Sequence, residues 1–430
     1  MKTFSKYIIN KLLECRKYTK KYINQTIKPI ITNKESNIIA IGDIHGDIKL
    51  MLDTLIIGGV IQIIDNKNKN SIQIIRKDNN DDVEYYEWIG ENTIVVQVGD
   101  QIDRCRMVND VNNCHEEYVT YDDEASDIEI LLFFTKLHEK AKKKGGAVYS
   151  LFGNHELMNI CINDIRYVSY KNLELLKLED KNLESEEESE EESEEESEEE
   201  SEEESEEESE EEVNEEIQKI ITSEENNINE YKQRRINIFR RGGVIAKFLA
   251  STRYSILIVN GYLFVHGGVL GSYIEKYNNN KKENFQDINN KIKNYIIIEK
   301  LEKEREQEIH KFIFVGADSP FYTRRLGQIE KNKKIDDIDC KNINIEKLIN
   351  DYGLTSIIVG HTPQIDGING TCLQNGKKTL FRIDVASSKA FHLWPDNNLQ
   401  AQVLKISNND ETEILKFENG KNGKIISEKI

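Results

Sequence analysis

The apolar positions of the chain fall into short runs separated by polar turns, the pattern of an α/β protein in which buried strands alternate with helices. Residues 37–41 form one such run, ending at Gly42-Asp43, and a helical stretch from 47 to about 57 follows. Residues 93–98 and 147–152 repeat the arrangement and end at Gly99-Asp100 and Gly153-Asn154. Residues 124–144 place Ile128, Leu131, Leu132 and Leu137 on or near one side of a helix. Further on, 231–253 reads as helix, 255–265 as two strands ending at His266-Gly267-Gly268, and Ser356–Val359 as a strand ending at Gly360-His361. Short strands at 378–385 and 401–417 close the unit. Residues 60–89 read as an inserted hairpin pairing Ile61–Ile64 with 72–75, and 272–311 as a Lys/Asn/Glu-rich insertion with helical potential.

Charge changes this picture at two places. Residues 1–35 form a basic N-terminal extension in which Phe4, Ile8, Leu12 and Cys15 recur at helical spacing, predicting a short helix that packs one stripe on the main unit. Residues 185–212 are seven Ser-Glu-Glu-Glu units, expected to be a disordered spacer within a cap and linker over 166–230. Removing the 21 glutamates of that tract brings the formal net charge from −20 to +1. The acidity therefore belongs to one segment and is no clue to the substrate. A tolerated spacer made by repeat slippage is the expectation; because the serines sit before acidic residues, an acidophilic kinase or a basic partner for the tract is the alternative. No nucleic-acid partner is expected.

Other classes are excluded by length and composition. With 38% hydrophobic residues in 430, a large core is available. The longest nearly apolar run, 54–64, is too short to span a bilayer, and no apolar segment of signal-peptide type follows the basic start. Six scattered cysteines without a Cys-x-x-Cys pair predict reduced thiols and a cytoplasmic location.

The chemistry lies at the strand ends. Five apolar runs finish in Gly42-Asp43-Ile44-His45-Gly46, Gly99-Asp100-Gln101-Ile102-Asp103-Arg104, Gly153-Asn154-His155-Glu156, His266-Gly267-Gly268 and Gly360-His361-Thr362-Pro363-Gln364. In open α/β sheets ligands bind beyond the carboxyl ends of the strands, so these five ends can meet at one site. The mixture of carboxylate, amide and imidazole suits Mn²⁺, Fe or Zn²⁺, with no cysteine to favour a soft metal.

These motifs resemble those of the calcineurin-like metallophosphoesterases, and within them the PPP-type phosphoprotein phosphatases, most like the Shewanella-like phosphatase branch. The pattern GDxHG, GDxxDR, GNHE, HGG and GHTPQ is met in order across about 36–165 and 230–390. The resemblance implies an α/β fold of the calcineurin-like αββα sandwich type with helical cap insertions, its halves at 36–165 and 231–418, followed by a C-terminal tail at 419–430. It also implies two divalent metal ions, with manganese the first expectation and iron or zinc the alternatives. Asp43 and His45 would hold the first ion, Asp100 would bridge both, and Asn154, His266 and His361 would complete the second. A hydroxide shared by the ions would attack phosphorus in line, with His155 as general acid and Asp103 orienting it. Arg104 would grip the phosphate, partnered by Arg324 in preference to the adjacent Arg325.

The implied activity is hydrolysis of phosphomonoesters, first of all on phosphorylated protein or peptide at Ser/Thr or Tyr. The alternative is a small-molecule phosphohydrolase such as a dinucleoside polyphosphatase. Asp103 and Glu156 favour the former, because related diadenosine tetraphosphatases generally lack the one and replace the other by Asp. One departure is Cys105, where the family usually has glycine; the loop 105–123 that follows is expected to be structural. Asp384 reads as a buried hydrogen-bonded carboxylate, and Tyr167, Tyr170 and Trp394 as core or cap residues.

Overall fold

A computed structural model describes residues 2–68, 71–76, 82–107, 113–180, 219–270, 284–314, 318–394, 400–418 and 423–430. The Ser-Glu repeat at 185–212 lies outside the described residues. Two large sheets carry the fold. The first runs Arg253–Tyr254, Ala147–Leu151, Ile94–Gln97, Ile38–Ile41, Gln402–Ile406, Thr412–Phe417, Ile425–Lys429; its first four strands are parallel and the rest antiparallel. The second runs Asn369–Gln374, Lys377–Arg382, Ser356–Val359, Tyr262–Val265, Ile256–Val259, Ile30–Ile31, with its three middle strands Lys377–Arg382, Ser356–Val359 and Tyr262–Val265 mutually parallel.

Side-chain alternation shows how the layers stack. Ile38, Ala40, Ile94 and Val96 share a core with Leu257, Phe264, Ile358 and Phe381 of the other sheet. Their strand neighbours Ile39, Ile41 and Val95 face outward and pack under the helices Ile48–Ile57 and Asp127–Lys142. Ile256, Val265 and Val359 likewise face outward, under a second helical layer that includes Val244–Thr252 and Asn284–Ile297. Both faces of the central strands are therefore buried, which is why they read as continuous apolar runs and not as alternating ones. The result is the αββα sandwich that the resemblance implies.

The N-terminal helix Lys6–Tyr22 buries Ile8, Leu12 and Cys15 in the second helical layer, and Phe4 joins them. Ahead of it, Lys2–Phe4 pairs with Leu178–Asp180. The basic leader is thus an integral part of the core.

Several details differ from the sequence reading. The inserted hairpin is a three-stranded sheet in which Asp82–Trp88 lies between Ile61–Ile64 and Ser71–Arg76. Its middle strand anchors the sheet by burying Tyr86 and Trp88. The helix expected over 231–253 is two, Ile228–Phe239 and Val244–Thr252: Arg240, with ψ 159°, leaves the helical path, and Gly242, with φ +74°, makes the turn into the second helix. Residues Ile425–Lys429, within the expected tail, form the edge strand of the first sheet.

The cysteines also require a correction. Cys105 pairs with Cys114 and Cys340 with Cys372; Cys15 and Cys161 are free. The bridged residues lie 5.8 and 5.9 Å apart between Cα atoms, the ordinary span of a disulfide. Spacing along the chain could not reveal this, because Cys340 and Cys372 come from a short helix, Ile338–Asn342, and a strand, Asn369–Gln374, brought together only by the fold. Among the described residues no helix is long and apolar enough to cross a membrane.

Candidate active site

The carboxyl ends of the parallel strands in both sheets open onto one cavity of about 610 Å³. Asp100 stands at its centre. One of its carboxylate oxygens, Oδ2, lies 3.3 Å from His266 Nε2, 3.7 Å from His45 Nε2 and 3.9 Å from His155 Nε2. His45 Nε2 is also 3.8 Å from Asp43 Oδ2. His266 Nε2 is 3.0 Å from Asn154 Oδ1, and the backbone N–H of His361 donates to Asp43 at 3.1 Å. The rings of His266 and His361 are 5.0 Å apart. All six ligand-type residues singled out in the sequence therefore meet, although they come from five separate strand ends.

Local backbone geometry explains the sequence of those ends. His45, Asp100, Asp103 and His361 all have left-handed φ, at 48°, 53°, 71° and 65°. Each non-glycine residue held there costs about 1–3 kcal/mol, a strain concentrated at functional positions. Two glycines are required by close approach. A Cβ on Gly153 would lie 2.1 Å from Asp100 Oδ1, and one on Gly360 would lie 2.3 Å from Asp43 Oδ1. Glu156 then fastens the loops, accepting N–H bonds from Gly153 at 2.7 Å, Asp100 at 3.0 Å and Gln101 at 2.7 Å.

The electrostatics are those of a cation site. Burial, with Asp384 and Asp100 nearby, holds Asp43 well above the usual carboxylate range. Burial also works against ionisation of Asp100, but its neighbours, His266 foremost by charge and hydrogen bond, outweigh it and hold Asp100 well below that range. Burial and Arg106 push His45 down, while burial, His266 and Arg324 push His361 down, which favours the neutral form of both rings that a metal requires. Burial lifts Asp384 to about 6. Clustered buried carboxylates beside neutral histidines fit divalent cations, which relieve the like-charge repulsion. Two sets, His45–Asp100–His155 and Asp100–His266–His361, bring their ligand atoms within 4.8 Å of one another, and Asp100 is common to both.

Beside this cluster His155 Nδ1 and Asp103 Oδ2 are 2.7 Å apart. Asp103 is itself held: the amide of Asn159 donates to both its oxygens at 3.1 Å, and Asp127 accepts its backbone N–H at 3.2 Å. Arg235 ties the two supports together, 2.8 Å from Asp127 and 3.3 Å from Asn159 Oδ1, with its guanidinium over the Phe239 ring. This bracing comes from a helix 76 residues beyond Asn159 and leaves no local signal in the sequence.

The arginines divide. Arg324 lines the cavity and donates to the carbonyl of His361 at 2.9 Å, whereas Arg325 is an exposed partner of Asp318. Arg104, expected at the substrate, is fully buried away from the cavity, 2.9 Å from Asp47 and donating to the carbonyl of Asp122 at 2.9 Å. Asp47 caps the helix Ile48–Ile57 and offers Arg104 a charged partner inside the protein. Arg106, two residues on, lines the cavity instead. Tyr167 and Trp394, read as core or cap residues, also line it, with the Tyr167 ring 5.0 Å from that of His155 and tilted 56° to it. Tyr170 does not. Asp384 is buried as expected, accepting the Ala386 N–H at 3.0 Å, but it borders the cavity as well.

Comparison with known proteins agrees with this geometry. The family model for calcineurin-like phosphoesterases matches residues 36–364. An uncharacterised protein of Acanthamoeba polyphaga mimivirus is 30% identical over 295 residues, covering 66% of this chain and 98% of that protein. Shewanella-like protein phosphatase 2 of Arabidopsis thaliana is 27% identical over 83% of this chain and 72% of its own length. Among solved structures, a cold-active protein tyrosine phosphatase superposes with a TM-score of 0.53 at 16% identity, over 96% of this chain and 82% of the other, a likeness of fold. The match over most of the chain, on a sandwich whose strand ends gather the family's motifs, makes this protein a member of the calcineurin-like phosphoesterase family, with relatives that support its Shewanella-like phosphatase branch.

Proposed function

We propose that the protein is a divalent-metal-dependent phosphatase that hydrolyses phosphomonoesters on protein or peptide. The observation that supports this reading most strongly is Asp100 facing three imidazoles, with the His155–Asp103 pair 2.7 Å apart beside it. Asp43, His45 and Asp100 would hold one ion, and Asp100, Asn154, His266 and His361 the other, with manganese the first expectation. Divalent ions bound there supply Lewis acidity and an activated water for phosphoryl transfer. His155 donates a proton from its outward Nε2 to the leaving alkoxide or phenoxide, while Asp103 accepts the hydrogen bond of the inward Nδ1–H, which orients the ring and balances the charge of the donor form. Arg324 neutralises charge on the phosphate from the cavity wall.

Within the protein substrates, the aromatic lining favours an aryl phosphate. Tyr167, Phe391 and Trp394 offer faces on which a phosphotyrosine ring can rest. The cold-active phosphatase that shares the fold is a tyrosine phosphatase, in keeping with that preference. The cytoplasmic location expected from reduced thiols loses that support, since four of the six cysteines are paired. A panel of Ser, Thr and Tyr phosphopeptides, run with Mn²⁺ beside dinucleoside polyphosphates, tests the reading. Phosphopeptide turnover led by phosphotyrosine is expected, with His155→Asn roughly 100-fold or more slower at unchanged metal content. Exclusive turnover of the dinucleotides would overturn it.

A further inference from the structure

Two arginines lie within three residues of each other after the second strand end, and the structure gives them opposite surroundings. Arg104 is enclosed away from the cavity and held by the Asp47 carboxylate and the carbonyls of Tyr121 and Asp122, with its buried Nε left without a hydrogen-bond partner among the described residues. Leaving that pocket would strand the Asp47 carboxylate, which is buried, at a cost typical of a broken buried ion pair. Arg106 is bonded to no carboxylate among the described residues. Its Nη1 donates to the carbonyls of Asp103 at 3.0 Å and Cys105 at 2.8 Å, and its Nη2 lies 2.5 Å from His45 Nδ1. Of the five donors on a guanidinium, two remain without a partner among the described residues, on a side chain that lines the cavity.

The side chain is also held in place. Its guanidinium lies 4.8 Å from the centre of the Phe391 ring and 5.5 Å from that of Tyr167. Its backbone is fixed from the preceding residue, where the Cys105 N–H donates to Tyr167 at 3.1 Å and the Cys105–Cys114 bridge closes the loop. A cation fixed by aromatic faces, with spare N–H groups on a cavity that also holds the ligand cluster, is built to receive an oxyanion.

Resting on the phosphatase reading, we propose that Arg106, and not Arg104, is the residue that grips the phosphoryl oxygens of the substrate, with Arg324 as its companion. Arg104 is then a buried brace between Asp47 and the 121–122 turn. The ligand class is a dianionic phosphate monoester or inorganic phosphate. The aromatic residues that hold Arg106 also border the space beside the phosphate, so phosphate recognition and aryl preference share one wall.

The test uses the full chain loaded with Mn²⁺. Inorganic phosphate affinity is measured by calorimetry, and kcat and KM on para-nitrophenyl phosphate, for wild type, Arg106→Ala, Arg106→Lys and Arg104→Lys, with metal content checked in each. Arg106→Ala is expected to weaken phosphate binding and raise KM roughly ten- to a hundredfold at unchanged metal content, and Arg106→Lys to recover only part. Arg104→Lys, which keeps the charge on Asp47, is expected to lower the melting temperature while phosphate affinity stays within about threefold. Equal phosphate affinity in wild type and Arg106→Ala would overturn the proposal, as would a loss confined to Arg104→Lys. A wild type that binds phosphate through Arg106 but turns nothing over would refute the enzymatic reading alone, so the two failures are separable.

Discussion

Asp103 shows how much of this site depends on side chains that never reach the cavity. Two N–H bonds from Asn159 fix its carboxylate, and Arg235 fixes Asn159 in turn. Asn159→Leu removes the amide that bonds both Asp103 oxygens and leaves Arg235 with Asp127 alone, so kcat is expected to fall roughly tenfold or more with KM and metal content unchanged. Steady-state kinetics with metal analysis checks this; an unaltered kcat would show that Asp103 needs no such support. The six ligand-type residues were legible because each sits inside a short motif at the end of an apolar run. Arg106 was not, because the motif ends at Arg104. The left-handed turn at Asp103, φ 71°, precedes the stretch in which these two arginines take different surroundings. Asn159 lies just past the third motif and Arg235 far from any, and the bond between them spans two helices, so neither carried a signal in the sequence.

Among the elements, the strand-to-loop junctions combine stability and chemistry in different proportions. A methyl group on Gly153 would strike the backbone N and carboxylate of Asp100, at 2.3 and 2.1 Å, and the backbone has little room to move. A methyl on Gly360 would strike chiefly the Asp43 carboxylate, at 2.3 Å, a side-chain end that can swing aside. Gly153→Ala should therefore destabilise the fold by about 1–3 kcal/mol or more, whereas Gly360→Ala should cost less stability and still lose metal. Thermal melts paired with metal titration distinguish the two; equal effects on both quantities would contradict the assignment. The strands bearing the motifs were legible because burial on both faces leaves unbroken apolar runs. The strand Asp82–Trp88 was obscured by its acidic positions, and Ile425–Lys429 by its exposed edge location. Neither disulfide could be paired from spacing, because pairing depends on how loops and strands fold back.

For the whole molecule, the two sheets bring five strand ends to one cavity, and the cost is a set of buried carboxylates close together. Burial and the neighbouring Asp384 and Asp100 hold Asp43 well above its ordinary range, and burial lifts Asp384 to about 6. Groups raised in this way bind protons more tightly folded than unfolded. They stabilise the chelated protein fully below the ordinary carboxylate range, and that contribution is lost as pH rises through about 6. A bound cation requires the ionised carboxylates and reverses the trend. The rise in melting temperature on adding Mn²⁺ to chelated protein should thus be small at about pH 5 and grow to several degrees by about pH 7.5. An increment independent of pH would argue that these carboxylates do not meet the metal.

The most direct test of the account is a count of metal ions per chain in wild type and Asp100→Asn, by elemental analysis after loading and desalting, with phosphatase activity measured on the same samples. Because Asp100 belongs to both ligand sets, the account predicts two ions per wild-type chain and loss of both metal and turnover from the single substitution. A wild type that retains no ions, or an Asp100→Asn protein with full metal and full activity, would contradict it.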